Sequence, residues 1–140
     1  MKAVIIYWTG SGNTEKMADL IAEGLKSKGA MVESLLVGAA NLEMIAHADL
    51  VLLGSPSMGM EVVEEFEMEP FVASLESKVE GKKMALFGSY GWGDGQWIRD
   101  WEERMKGYGA DIVLSSLAVG GEPSGSDAEK CIAFGRELVI

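Results

Sequence analysis

The sequence predicts an α/β fold, in which a five-stranded doubly wound parallel sheet has the strand order 2-1-3-4-5. Short apolar runs alternate with stretches of helical periodicity along the whole chain, a pattern typical of a parallel sheet with helices on both faces. The chain has 140 residues, a length that favours one domain over residues 1–140. The connections between the predicted elements are too short to hold a further domain.

The predicted strands are short and apolar, as expected for strands that are buried on both faces. A bend is expected in the last strand near Ser115 and Ser116. In this architecture a ligand lies beyond the carboxyl ends of the strands, at the switch between strands 1 and 3. The loops after strands 1, 3 and 4 are therefore the expected binding region. The five strands are predicted at residues 4–8, 31–37, 48–54, 82–89 and 111–119.

Helical periodicity fills the segments between these strands. The clearest helix covers residues 13–28 and is expected to end at Gly29, and a short one is expected at 42–46. Trp97, Trp101 and Cys131 fall on apolar helix faces, so they are predicted to lie in the core. The other helices should carry Val62, Val63 and Phe66 up to an interruption or restart at Pro70, then Trp97, Trp101, Met105 and Tyr108, and finally Ala128, Cys131, Ile132, Gly135 and Leu138.

The composition excludes several classes of function. There are 12 basic and 22 acidic residues, for a net charge of −10, which argues against nucleic acid as a partner. No apolar run is long enough to predict a membrane span. A single cysteine, Cys131, predicts neither a disulfide nor a metal cluster and favours a cytoplasmic location. The acidity serves either solubility or docking onto basic partners, depending on where the charges lie.

The loop after strand 1 has the features of a phosphate cradle. Its glycines allow a tight turn with inward-pointing N–H groups, and the following helix adds unpaired N–H donors and a favourable dipole. The alternative is an ordinary polar turn that caps the helix. Lys16 could assist a phosphate, but a solvated side chain is the preferred interpretation. The candidate residues are Thr9, Gly10, Ser11, Gly12, Asn13 and Thr14.

Other phosphate-binding loops do not fit this segment. A Walker A loop would end in Gly-Lys-Ser/Thr, which is missing here. The dinucleotide fingerprint requires a third glycine, but Glu15 occupies its position. A phosphatase loop on this fold would need a cysteine and an arginine, and neither is present.

The loop resembles the phosphate loop of flavodoxins, because Thr9, Ser11, Gly12 and Thr14 match its Thr/Ser-x-Thr/Ser-Gly-x-Thr pattern. The resemblance extends over the whole chain, and the loops after strands 3 and 4 are similar to those of short-chain flavodoxins from anaerobic bacteria. The strand 5 insertion of long-chain members is absent. The resemblance implies a flavodoxin-like fold, one non-covalently bound FMN and electron transfer without a substrate of the protein's own.

The loop after strand 3 is where the resemblance places one side of the flavin. Met58 is polarizable and suited to lie against an aromatic ring, although it could equally pack on its own loop. Gly59 followed by Met60 can form a tight turn with a positive φ at the glycine. By resemblance the peptide between them flips on reduction and accepts a hydrogen bond from flavin N5–H, while Glu61 accepts from N3–H. The candidate residues are Ser55, Pro56, Ser57, Met58, Gly59, Met60 and Glu61.

The loop after strand 4 places an aromatic side chain among glycines at a strand end. Trp92 has no evident role in the core there, so stacking on a ligand ring is the preferred interpretation. The resemblance implies that Trp92 and Met58 cover opposite flavin faces and that backbone N–H groups meet the pyrimidine edge. Asp94 is expected to cap the next helix instead. The candidate residues are Ser89, Tyr90, Gly91, Trp92 and Gly93.

The predicted function is a low-potential one-electron carrier that shuttles between the semiquinone and hydroquinone states of FMN. The alternative is an FMN-dependent NAD(P)H:quinone reductase of the same fold, which would need an open flavin face. The resemblance implies partners such as pyruvate:ferredoxin oxidoreductase, hydrogenase, nitrogenase or flavodoxin reductase. They would dock on an acidic face of what is expected to be a monomer. That face is predicted to comprise Glu61, Glu64, Glu65, Glu67, Glu69 and Asp94.

Overall fold

A single parallel sheet organises the part of the chain that the computed structural model describes, residues 1–59 and 62–139. The strand order is β2-β1-β3-β4-β5, with β6 also paired to β4, so the predicted order 2-1-3-4-5 is confirmed. All these pairings are parallel, which directs the loops after β1, β3 and β4 to one edge of the sheet. The strands are β1 (Lys2–Tyr7), β2 (Met31–Leu36), β3 (Leu50–Gly54), β4 (Lys83–Tyr90), β5 (Asp111–Ile112) and β6 (Leu117–Gly120).

The predicted fifth strand is divided into β5 and β6. Four residues separate Ile112 from Leu117, whereas two separate their partners Met84 and Phe87 on β4. The two additional residues leave the hydrogen-bonded ladder and form a bulge, which is wider than the expected bend at Ser115 and Ser116.

Helices cover both faces of the sheet. One face packs against α1 (Asn13–Ser27) and α5 (Ser126–Leu138). The other packs against α2 (Leu42–His47), α3 (Met68–Ser74) and α4 (Gln96–Gly107). None of the helices within residues 1–59 and 62–139 is both long and apolar enough to cross a membrane.

Helices α1 and α4 end with the same C-terminal capping arrangement. Gly29 and Gly109 each have a positive φ, of 89° and 90°. After α1, the N–H of Gly29 donates to the carbonyl of Lys26 and that of Ala30 donates to Leu25, and the same pair of bonds follows α4. This arrangement satisfies the last carbonyl groups of the helix, so Gly29 ends α1 as predicted.

The prediction of a helix at Val62, Val63 and Phe66 is wrong, since α3 begins at Met68. The reason is Glu64, which is only 2% exposed and whose carboxylate accepts backbone N–H groups at the start of α3. Pro70 lies in the first turn of α3, where its missing N–H would have no helical acceptor.

Helices α1 and α5 approach closely through two glycines. A Cβ atom on Gly24 would collide with the carbonyl oxygen of Ile132, and one on Gly135 would collide with that of Ile21. Cys131 is fully buried beside this contact, and burial, with a smaller contribution from Asp127, raises the pKa of its thiol to about 11. On the opposite face Trp97 and Trp101 are buried as predicted.

Candidate functional site

A cleft of about 360 Å³ opens where the loops after β1, β3 and β4 converge. Its position at the carboxyl ends of the strands is the one that the sequence predicts for a ligand. The described residues that line it carry no charged side chain. They are Trp8, Gly10, Ser11, Asn13, Pro56, Ser57, Met58, Ser89, Tyr90, Gly91 and Gly121.

The loop after β1 turns sharply into α1 and presents backbone donors. Gly12 has a φ of 99° and its N–H donates to Thr9 Oγ1 at 3.1 Å. Because Gly12 has no side chain to cap α1, the N–H groups of Asn13, Thr14 and Glu15 have no acceptor among the described residues. These three donors, together with the positive end of the helix dipole, are suited to an anion.

Two side chains in the first turn of α1, Thr14 and Lys16, connect this loop to other parts of the structure. Thr14 is buried, and its Oγ1 lies 3.3 Å from Ser89 Oγ, which joins the loops after β1 and β4. The ammonium of Lys16 lies 2.9 Å from the carboxylate of Glu122. Lys16 is thus paired with the segment after β6, whereas the sequence favours a solvated side chain.

Ser55 fixes the start of the loop after β3. It is fully buried, its hydroxyl donates to the carbonyl of Pro56 at 2.9 Å, and the same hydroxyl accepts the N–H of Glu64 at 3.0 Å. Pro56 and Ser57 line the cleft, and the N–H of Ser57 donates to the carbonyl of Ser89. Ser55 therefore supports the cleft without lining it.

The loop after β3 then forms a small antiparallel bridge. Met58 and Val62 exchange backbone hydrogen bonds of 2.8 and 3.0 Å, and Met58 lines the cleft. Gly59 has the positive φ that the sequence predicts, at 52°. The predicted roles of Met60 and Glu61 lie outside the described residues, and with them the exact type of this turn.

The end of β4 contributes Ser89 and Tyr90 to the cleft, and the loop after it contributes Gly91. The Tyr90 ring packs at a tilt against the ring of Trp97, with centroids 5.8 Å apart, which fixes the wall of the cleft against the core. Trp92 is 62% exposed and, like Gly93, is not among the residues that line the cleft. The carboxylate of Asp94 pairs with Arg99 of α4 at 3.0 Å.

The sequence did not predict two residues that line the cleft, Trp8 and Gly121. The apolar run predicts Trp8 as the last residue of strand 1, and the carboxyl end of a strand at the switch point is itself a signal for ligand contact. Its Nε1 donates to Glu67 Oε1 at 3.2 Å. Gly121 donates its N–H to the carbonyl of Tyr90, a contact that depends on how β6 pairs with β4.

The predicted acidic face is only partly available to a partner. Glu64 is buried and accepts three backbone N–H groups, so it is an internal residue, which corrects its assignment to the surface. The two carboxylate oxygens of Glu69 accept hydrogen bonds from the two Nη atoms of Arg104, each at 2.6 Å. These hydrogen bonds raise the pKa of Arg104. Glu65 and Glu67 are exposed.

Comparisons with known proteins agree with this geometry. Residues 5–135 match a family model described as Flavodoxin. The chain is 49% identical over 134 residues to a flavodoxin of Clostridium beijerinckii, covering 96% of each protein. It is 46% identical over 113 residues to a flavodoxin of Megasphaera elsdenii, covering 81% of this chain and 82% of that protein.

A solved structure gives the same result for the fold. The solution structure of two-electron reduced Megasphaera elsdenii flavodoxin superimposes with a TM-score of 0.86, at 38% sequence identity. The superposition covers 96% of this chain and 98% of that one.

Proposed function

Because the chain belongs to the flavodoxin family of FMN-binding electron carriers, we propose that it is a low-potential one-electron carrier for redox enzymes. In this role the bound FMN alternates between its semiquinone and hydroquinone states. The observation that carries the proposal is the cleft itself, where three loops bring unpaired N–H donors and uncharged side chains together.

The cleft fits the two chemical parts of such a cofactor. Its volume of about 360 Å³ falls in the range of about 300–1,000 Å³ that is usual for ligand pockets. The donors at the start of α1 suit the phosphate, and the side chains of Trp8, Met58 and Tyr90 suit a flat ring. In our proposal the phosphate is held by Thr9, Gly10, Ser11, Gly12, Asn13 and Thr14.

The proposed contacts of the ring follow the sequence expectation. Met58 and Trp92 would cover its two faces, and the backbone N–H groups of Ser89, Tyr90, Gly91 and Gly93 would meet its pyrimidine edge. On the other loop, Glu61 would accept from N3–H and the Gly59–Met60 peptide would accept from N5–H.

The cofactor supplies the redox chemistry, and the protein sets its energy. The part of the cleft lining that the structure describes has no cationic side chain, so it does not favour the negative charge that full reduction adds. The exposed carboxylates of Glu65 and Glu67 lie on the neighbouring loop and oppose that charge further. We therefore expect a low potential for the last electron, with no side chain acting as acid, base or nucleophile.

Docking of partners is the second part of the proposal. Pyruvate:ferredoxin oxidoreductase, hydrogenase, nitrogenase and flavodoxin reductase are the expected partner classes, and the carrier would act as a cytoplasmic monomer. A net charge of −10 would steer basic surfaces toward the protein, so electron-transfer rates should fall as ionic strength rises. Rates that stay flat across a salt series would exclude this steering.

The test is the visible spectrum of the purified protein during an anaerobic titration with dithionite. FMN bands that change to a blue neutral semiquinone and then bleach at very low potential would support the carrier. A colourless protein that does not take up added FMN would overturn the proposal. Reduction in one two-electron step, together with steady-state oxidation of NADPH, would instead favour the quinone reductase.

A further inference from the structure

We propose that Phe66 is the apolar anchor of the docking surface, and that it enters a recess bordered by lysine or arginine on a redox partner protein. The inference rests on the proposed carrier function and adds a specific contact to it. Three observations carry it: the exposure of the ring, the rigidity of its turn and its position beside the cleft.

Phe66 is the most exposed of the large apolar side chains among the described residues, at 87%. Single exposed apolar residues are common on protein surfaces, so exposure alone assigns no role. Met58 and Val62, at 36% and 39%, are exposed on the same loop between β3 and α3. Three exposed apolar side chains on one loop, with charged residues beside them in the sequence, have the composition of a protein interface with a polar rim.

The backbone of the turn that carries Phe66 is fixed by hydrogen bonds to the buried carboxylate of Glu64. The N–H of Phe66 donates to Glu64 Oε2 at 2.8 Å, and the N–H of Glu67 donates to Oε1 of the same carboxylate at 2.7 Å. Glu64 is in turn anchored by its own N–H to the hydroxyl of buried Ser55. The backbone under the exposed ring is therefore ordered before any partner binds, which lowers the entropic cost of association.

The turn is also coupled to the wall of the cleft. Glu67, the neighbour of Phe66, accepts a hydrogen bond from Trp8 Nε1 at 3.2 Å, and Trp8 lines the cleft. A partner that binds Phe66 would therefore lie next to the proposed cofactor site. Proximity of this kind is what electron transfer between two proteins requires.

The charges around Phe66 select the partner. Glu65 and Glu67 flank Phe66 in the sequence and are exposed, while Glu69 is paired with Arg104. A second copy of this chain would bring like charges together at a net charge of −10 on each copy, which disfavours self-association. A basic protein with an apolar recess would bury the Phe66 ring and pair its own cations with the exposed carboxylates of Glu65 and Glu67.

The experiment measures electron transfer from the dithionite-reduced protein to a purified flavodoxin reductase by anaerobic stopped flow, at several salt concentrations. F66S should lower the second-order rate constant about tenfold at every salt concentration, because burial of a phenylalanine is insensitive to screening. E65Q should lower the rate at low salt only. The matched control is M31S, which removes an apolar side chain that is 70% exposed on edge strand β2.

The outcomes are distinguishable. Equal rates for F66S and the parent protein, with normal FMN spectra in both, would overturn the docking role of Phe66 and leave the carrier function intact. A parent protein that binds no FMN or transfers no electrons would overturn both proposals. A parent dimer in sedimentation velocity that F66S dissociates would assign the ring to self-association and overturn the inference.

Discussion

The carboxylate of Glu102 in α4 accepts both the hydroxyl and the backbone N–H of Ser116, at 2.5 and 3.3 Å. Ser116 lies in the bulge between β5 and β6, where its N–H has left the sheet. One helix side chain thus takes over the hydrogen bond that a continuous fifth strand would have made with β4. This replacement explains why the bulge is stable although it interrupts the ladder.

The contact of Glu102 predicts a dependence of stability on pH. Burial opposes ionisation, but the hydrogen bonds from Ser116 and Lys106 outweigh it and lower the pKa of Glu102 below its ordinary value. A carboxyl whose folded-state pKa is lowered stabilises the protein above its unfolded pKa, and this contribution is lost as pH falls through the folded pKa. E102Q should therefore lower the free energy of unfolding by about 1–2 kcal/mol at pH 7.

The difference between E102Q and the parent should shrink as pH falls below the ordinary glutamate pKa of about 4.3. It should vanish once the pH lies below the lowered folded-state pKa of Glu102, where the parent carboxyl is also protonated. Urea unfolding from pH 7 down to pH 3.5 checks this. The control is E103Q, a neighbouring carboxylate that is 77% exposed and should change stability little. A difference that persists unchanged at the lowest pH would contradict the prediction.

The paired contact between Glu69 and Arg104 joins the start of α3 to α4. Its side chains are partly exposed, so screening by solvent limits the contribution of the pair. We expect E69Q to lower the free energy of unfolding by about 1 kcal/mol at low ionic strength, and by less in high salt. Denaturant unfolding with and without salt measures the effect, and E76Q, on an exposed site just beyond α3, is the control.

The close approach of α1 and α5 predicts a steric effect at Gly24. A methyl group there meets the backbone of Ile132, which cannot move aside as a flexible side chain would. G24A should lower the free energy of unfolding by about 1–3 kcal/mol. In G107A the new Cβ in α4 meets open space, so that variant should be neutral or more stable, by at most about 1 kcal/mol. Equal effects of the two variants in thermal unfolding would contradict this packing.

Trp92 is the residue whose proposed role depends most on the cofactor. Removing its ring in W92A should weaken the binding of FMN to the apoprotein about tenfold while leaving the fold unchanged, because the side chain is exposed. Fluorescence titration of FMN measures the affinity. M31A, which removes another exposed apolar side chain far from the cleft, should bind FMN as the parent does. An unchanged affinity in W92A would remove Trp92 from the site.

The backbone conformation of Gly59 predicts an effect on the reduction of bound FMN. A φ of 52° costs an alanine about 1–2 kcal/mol, although a Cβ atom there would meet open space. G59A should therefore strain the turn and lower the semiquinone yield in a reductive titration. G81A is the control, since Gly81 also has a positive φ, of 75°, but precedes β4 at the opposite end of the sheet. Equal yields in G59A and the parent would contradict the prediction.

Local patterns were sufficient to predict the strand order and the position of the cleft. Apolar runs fixed the parallel sheet, and the glycines at 10 and 12 marked a tight turn before α1. The periodicity of α4 correctly placed Trp97 and Trp101 in the core. These features depend on neighbours in sequence, which is why they could be predicted.

The errors involve polar contacts, local or distant, that hydrophobic periodicity does not indicate. Glu64 resembles its acidic neighbours in the sequence, and only the three N–H groups around its carboxylate reveal an internal acceptor. Glu69 is neutralised by Arg104, 35 residues away. The width of the bulge before β6 depends on Glu102 in α4. Sequence periodicity does not indicate which polar side chain will satisfy which buried backbone group.

The described residues that line the cleft carry no charged side chain, and this has a consequence for how cofactor binding responds to ionic strength. With no cation among these residues, short-range backbone dipoles would hold the phosphate, while the net charge of −10 repels it over a longer distance. Added salt screens the repulsion but affects the dipoles little, so salt should strengthen cofactor binding while it weakens the docking of basic partners. The two associations then respond in opposite directions, and a rise in ionic strength releases the partner while the flavin is retained.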